Sequence, residues 1–169
     1  MVHDAAQTMT VVRAAEPTEI DALARVWYDA WRDAHAAIVP AALARVRTLD
    51  SFRPRIEHLL SDVRVVGPAG APIGFCIIKD DELYQLFVSA QARGSGVAAA
   101  LLADGEARLA ARGVATAWLA CAIGNERAAR FYEKHGWNRA GTVPSRLDTT
   151  AGEFVLDVWR YEKPLTSPG

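Results

Sequence analysis

The chain predicts an α/β (α+β) fold: a mixed, mostly antiparallel sheet of about seven strands, flanked by about four helices. Three observations carry that expectation. The hydrophobic period switches between two and 3.6 residues in the order β-α-α-β-β-β-α-β-α-β-β. Between residues 63 and 88, short apolar runs separated by turn formers read as a meander. A strand, helix and strand over residues 83–120 then demand one right-handed parallel crossover within the sheet.

Taken in order, residues 10–13 are a short strand candidate, and Thr18 with Asp21 offers a capping pair for the first helix. Ile20, Leu23, Ala24, Trp27, Ala30, Trp31 and Ala34 recur at helical spacing and make one apolar stripe. Ile38-Val39-Pro40 interrupts it, and a second helical region follows over Ala41–Arg47 and Ser51–Leu60. Val63–Val66 and Ile73–Ile78 read as strands joined by the Gly67-Pro68-Ala69-Gly70 turn, with Leu83–Val88 as the third strand of the meander. Val97–Arg112 is an alanine-rich helix closed by Gly113, and Ala115–Cys121 is the next strand. Asn125 caps a short helix ending at Gly136. Trp137–Val143 and Phe154–Tyr161 close the chain as a hairpin across a loop rich in turn formers.

At 169 residues the length suits one domain, expected over residues 9–163, with 1–8 as a flexible extension and 164–169 as a tail. A net charge of -1 with no lysine or arginine block argues against a nucleic-acid or membrane surface. Cys76 and Cys121 lie in apolar runs and read as buried thiols, and no Cys/His cluster has metal-ligand spacing, so no metal is expected. No signal-peptide pattern or bilayer-length apolar run is present, which points to a cytoplasmic setting.

The segment richest in chemical information is Gln91-Ala92-Arg93-Gly94-Ser95-Gly96, set between a strand and a helix. Gly94 and Gly96 let the backbone curl around a ligand, and the helix opening at Val97 turns unpaired N–H groups to the same spot, a site for a diphosphate. Thirty residues on stands Asn125-Glu126-Arg127-Ala128-Ala129-Arg130-Phe131-Tyr132-Glu133-Lys134-His135-Gly136-Trp137. Together, in that order and at that separation, the two segments resemble the GNAT superfamily of acetyl-coenzyme A-dependent N-acetyltransferases. The resemblance runs from about residue 10 to 162, and the predicted element order is also that of the GNAT fold. Val88-Ser89-Ala90, where Val-Asp-Pro is frequent in the family, and Ser95, in place of a basic or aliphatic residue, depart from its pattern. Neither removes the backbone groups that bind.

The resemblance implies acetyl-CoA as cosubstrate, its pyrophosphate on the backbone N–H groups of Arg93, Gly94, Ser95, Gly96, Val97 and Ala98, and Asn125 against the cofactor. The Arg93 side chain adds charge there or is merely solvated at the loop rim. The family splays the central parallel pair so that the pantetheine arm lies along Leu86 and Val88 like an added strand. By the same likeness, the Leu86 N–H faces the thioester oxygen, a contact worth roughly 3 kcal/mol. Tyr132 matches the family tyrosine near the leaving sulfur; its plain alternative is a core aromatic beside Phe131. Glu82, where several members carry a glutamate that deprotonates the amine, is the base candidate, against a reading of Asp80-Asp81-Glu82 as an exposed acidic turn.

Tyr84 lies on the same strand face as Glu82 and is a candidate for substrate contact. Trp31 and His35, one helical turn apart, are candidates to wall an acceptor pocket, whereas Trp27 reads as core and His3, His58 and His135 as surface. The activity implied is transfer of an acetyl group from acetyl-CoA to a primary amine of a small molecule or peptide by direct attack in a ternary complex. The contrasting reading is an acyl-CoA-binding sensor or assembly module without turnover. A nucleotide binder of another α/β type fits poorly, because the loop has neither a GxGxxG nor a GxxxxGK[ST] pattern. Dimers are common in the superfamily, so a homodimer is one expectation.

Overall fold

A computed structural model of the chain describes residues 11–165; the expected extension at 1–8 and most of the tail at 164–169 lie outside them. Seven strands form one sheet: β1 (Val12–Ala14), β2 (Val63–Val66), β3 (Gly74–Lys79), β4 (Glu82–Val88), β5 (Thr116–Ala122), β6 (Asn138–Thr149) and β7 (Gly152–Pro164). Their order across the sheet is β1-β2-β3-β4-β5-β7-β6, with β4 and β5 parallel and every other pair antiparallel.

Five α-helices flank the sheet: α1 (Ile20–His35), α2 (Ala41–Val46), α3 (Leu49–Leu59), α4 (Val97–Ala111) and α5 (Glu126–Lys134). One more helix is present than expected because the second helical region breaks at Arg47-Thr48, where the backbone turns extended. Pro54 sits inside α3 as its sixth residue, past the first turn, so its missing N–H leaves the Asp50 carbonyl without its intrahelical donor.

The sheet separates two apolar layers. Leu23, Trp27 and Trp31 of α1 and Phe52 and Ile56 of α3 pack against Val63, Val65, Phe75 and Ile77 on one face. On the other, Leu101, Leu102 and Leu109 of α4 and Tyr132 of α5 pack against Cys76, Ile78, Leu83, Leu119 and Tyr161. Strand β3 contributes alternate residues to both layers, which explains its unbroken apolar run.

Two local expectations are corrected. The first helix is not opened by Thr18 and Asp21: a 3-10 turn at Pro17–Glu19 precedes it, and the Glu19 carboxylate accepts the backbone N–H of Glu16 at 2.9 Å. Glu19 is fully buried and paired with Arg13 at 2.7 Å. The final hairpin is also longer than predicted, since residues 144–149 and 152–153 are paired strand around a tight turn. Pro144 is tolerated because β6 is an edge strand, where a missing N–H breaks no second ladder.

Candidate functional site

Strand β4 makes the site. Its only register partner in β5 is Glu82 opposite Trp118, held by the Trp118 N–H donating to Asp81 O at 3.3 Å; beyond that point the two strands diverge. Opposite β3, Gln85 aligns with Ile77 and Leu83 with Ile78, so Tyr84 is the extra residue of a β-bulge. The bulge shifts which backbone groups face each neighbour. Ser89 N–H donates to Ile73 O on the β3 side at 2.8 Å, so by alternation Leu86 and Val88 turn theirs to the open edge left by β5.

A cleft of about 460 Å³ occupies this opening. Leu86, Phe87 and Val88 form one wall, Ala30 and Ala34 of α1 another, and Asn125, Ala128, Phe131 and Tyr132 of the α5 region a third. Its floor is the glycine loop, through Arg93, Gly94, Gly96, Ala98 and Ala99. Gly94 and Gly96 have φ of 79° and 87°, the left-handed region that glycine adopts without strain, and a Cβ at either would meet only open space. The first intrahelical bond of α4 is Ala100 N–H to Gly96 O. The N–H groups of Gly94, Gly96, Val97, Ala98 and Ala99 therefore have no backbone acceptor among the described residues, while those of Arg93 and Ser95 close turns on Ala90 and Ala92.

The side chains of the loop divide similarly. Val97 is buried in the core, and the Ser95 hydroxyl donates back to Ala92 O. Arg93 forms an ion pair with Asp33 of α1, which pulls that carboxyl below its usual range and ties loop to helix. Arg127 and Lys134 also line the cleft and have no ion-pair partner among the described residues. With the loop amides they make this end of the cleft electropositive. The sequence assigns no role to either, though both stand in the second segment, nor to Ala99, one turn past the glycines. His135, expected at the surface, is half-buried on the cleft wall with its ring against Phe131, centroids 4.5 Å apart.

Asn125 lines the cleft and caps α5, accepting the Ala128 N–H at 3.3 Å. Tyr132 is buried between Phe131, Trp137 and Tyr161, yet its side chain borders the cleft and its hydroxyl has no hydrogen-bond partner among the described residues. Burial pushes its phenol up, so it is a proton carrier throughout the ordinary pH range.

A second cavity, about 890 Å³, is lined by β4 and α1, which also line the cleft, and by β5. Strand β4 gives it Glu82, Tyr84 and Gln85, α1 gives Trp27, Trp31 and His35, and β5 gives Trp118, Ala120 and Ala122. The β6–β7 hairpin and residues 43–59 complete its walls. Glu82 is half-buried, and that burial pushes its carboxyl up to about 7; Lys79 and Arg160 oppose the shift without cancelling it. His35, held at 3.2 Å to Trp31 O, is pushed down to about 4 by burial and is neutral at physiological pH. Its ring lies 5.3 Å from Trp31 and 6.1 Å from Phe87, at the join between the two cavities. Among the described residues no cluster of His, Cys, Asp and Glu is suited to a metal, and no helix is long and apolar enough to cross a membrane.

The fold has counterparts among solved structures. An N-acetyltransferase from Staphylococcus aureus Mu50 superposes with a TM-score of 0.69 at 22% identity, covering 92% of this chain and 98% of that one. A GCN5-related N-acetyltransferase structure from Rhodopseudomonas palustris gives 0.72 at 18% identity, covering 92% and 95%. The PaiA N-acetyltransferase of Thermoplasma acidophilum, in complex with coenzyme A, gives 0.64 at 18% identity, covering 91% and 98%. At these identities the likeness establishes the fold. Comparison with curated protein sequences yields no match. The acetyltransferase (GNAT) family model matches residues 20–137, which hold four of the seven strands and every wall of the cleft, and the chain belongs to that family.

Proposed function

We propose that the protein moves an acetyl group from acetyl-CoA to a primary amine of a small molecule or peptide, by direct attack in a ternary complex. The observation that carries this reading is the division of β4. Its first half, through Glu82 and Tyr84, borders one cavity; its second half, through Leu86 and Val88, borders the cleft above the glycine loop.

The cleft suits coenzyme A in kind. The unpartnered amides at residues 94 and 96–99 are donors for a diphosphate, with Arg127 and Lys134 as further counter-charges. The free edge at Leu86 and Val88 suits an extended arm with amide groups. When bound, acetyl-CoA supplies the activated acyl carbon. The rest falls to the chain. An ammonium ion has no lone pair, so Glu82, whose carboxyl titrates near pH 7, takes the proton from the amine directly or through water. The Leu86 N–H is the donor for the acyl oxygen as it gains charge. Tyr132, protonated and unpartnered among the described residues, gives its proton to the departing sulfur and is reprotonated by the second proton that the nitrogen sheds as the amide forms. Trp31, His35 and Tyr84 wall the space where the amine waits. Arg93 braces the loop through Asp33, and Asn125 fixes the start of α5.

Thiol release from acetyl-CoA, followed with a panel of amines, amino acids, polyamines and peptides, tests the activity, and calorimetry with coenzyme A tests the cleft. Saturable release with at least one amine is expected. Coenzyme A binding without release for any amine would turn the reading to an acyl-CoA sensor. No uptake of coenzyme A at millimolar concentration would remove both.

A further inference from the structure

The second cavity contains charge that acetyl transfer itself does not use. Arg47, between α2 and α3, is only 5% exposed, and the one hydrogen bond its side chain makes among the described residues runs to the backbone of Asp148 at 3.2 Å. Arg55 lies in the same wall, stacked over the Trp27 ring at 4.1 Å and donating to the Tyr84 hydroxyl at 3.2 Å. Neither guanidinium has a carboxylate within ion-pair distance among the described residues. The other arginines of the cavity are already matched, Arg146 with Glu153 and Arg160 with Glu162. Burial, and then the charge of nearby Arg55, push the Arg47 guanidinium down to about 10, against the opposing pull of Tyr84 and of the Asp148 carboxylate, neither of which is within ion-pair distance. Two like charges brought together in a half-enclosed space, one almost wholly desolvated, are costly unless an anion joins them. The indole N–H of Trp27, which borders the same cavity, is also buried without a partner among the described residues.

Resting on the acetyl-transfer reading, we infer that the acceptor is a small amine that also carries a carboxylate, with the carboxylate held by Arg47 and Arg55 while the amine faces Glu82. The placement favours this arrangement: Glu82 and Tyr84, the hydrogen-bond partner of Arg55, border the cavity from β4, while Arg47 and Arg55 border it from the α2–α3 region. The two ends of the acceptor are thus received by opposite charges from different elements of the same cavity. A guanidinium fork matches a carboxylate through two parallel N–H donors, which gives orientation as well as affinity. Arg47 and Arg55 are positioning residues in this scheme and do not touch the acyl group.

The test compares amines that differ only in the carboxylate, such as 6-aminohexanoate with pentylamine and lysine with cadaverine, using the full chain and acetyl-CoA. For the wild-type protein, kcat/KM is expected to favour the carboxylated member roughly 10- to 100-fold, mainly through KM. Arg55→Gln should bring that ratio close to one, and Arg47→Gln should do the same if thermal melting shows it folded. Calorimetry of 6-aminohexanoate and pentylamine on the coenzyme A-saturated protein supplies a readout independent of turnover. Carboxylate-dependent binding that Arg55→Gln abolishes, without any acetyl transfer, would uphold the anion site and overturn the acetyl-transfer reading. Efficient transfer at equal kcat/KM for both members of each pair would do the reverse. A preference that persists unchanged in Arg55→Gln would also overturn the assignment of these arginines.

Discussion

Replacing Glu82 by Gln separates the cost of this residue from its use. In the folded chain burial raises its carboxyl from 4.5 to about 7. Below pH 4.5 the group is protonated in both the folded and the unfolded chain, and its burial then costs no charge penalty. Between 4.5 and 7 the folded state holds the proton that the unfolded state has released, so stability falls as pH rises. Above 7 the full penalty is present, on the order of 3 kcal/mol. Gln has no charge to lose. Glu82→Gln is therefore expected to be more stable than wild type at pH 8, by up to about 3 kcal/mol before any local rearrangement, with the gain vanishing near pH 4.5.

Activity should move in the opposite direction. A positioned base contributes about 10²- to 10⁴-fold, so kcat/KM at pH 8 should drop by that order. The wild-type profile should fall tenfold per pH unit below about 7. The variant should lose this limb. Thermal melts across pH 4–9 and thiol-release rates over the same range make both measurements on the same samples. A variant no more stable at pH 8 than wild type would show that Glu82 is not desolvated. A variant with wild-type rates and an intact limb near pH 7 would move the base role to another residue or to water.

Three further outcomes follow from particular contacts. Tyr132→Phe removes a hydroxyl with no protein partner and keeps the ring in the aromatic cluster, so kcat should fall about 100-fold or more while Tm and the calorimetric affinity for coenzyme A hold. Gly96→Ala forces a side chain onto a residue with φ of 87° where the added Cβ meets nothing, so the cost is in the backbone, about 1–2 kcal/mol, and coenzyme A should bind roughly tenfold more weakly in calorimetry. Glu19→Ala strands Arg13 and the Glu16 and Gly70 amides, and chemical denaturation should register a loss of about 3–5 kcal/mol at pH 7. That difference is complete above pH 4.5 and shrinks as pH falls toward about 2, where the wild-type Glu19 takes up its proton.

What the sequence made legible was governed by local chemistry. The glycine loop could be read because Gly94 and Gly96 and the switch of hydrophobic period are properties of adjacent residues, and the same holds for the Asn125 cap. The hairpin was misjudged for the converse reason. Pro144, Ser145, Asp148, Thr149 and Gly152 are turn formers by composition, but partners in β7 supply an edge strand that tolerates them. Glu19 was passed over because its value lies in Arg13 and Gly70, the latter 51 positions away. Arg47 and Arg55 carry no local signal in the sequence; only the fold turns them toward Asp148 and Tyr84.

The bulge at Tyr84 belongs to the same class, and the most depends on it. In a regular strand Glu82, Tyr84 and Leu86 would share one face, and the backbone groups of Leu86 would meet β3. One extra residue changes both relations. Tyr84 and Gln85 now both border the second cavity, Leu86 packs with the opposite layer, and its N–H and C=O turn to the edge that β5 abandons after Trp118. The strand thereby presents an acid–base group to one cavity and free amides to the other within a few residues. A deletion at Tyr84 that restored the regular register would keep Glu82, the glycine loop and Tyr132 in the chain. It would close the edge against β3 nonetheless, so coenzyme A affinity and thiol release should be lost together while the sheet remains folded by circular dichroism. Retained affinity in such a variant would mean that the bulge is incidental to the site.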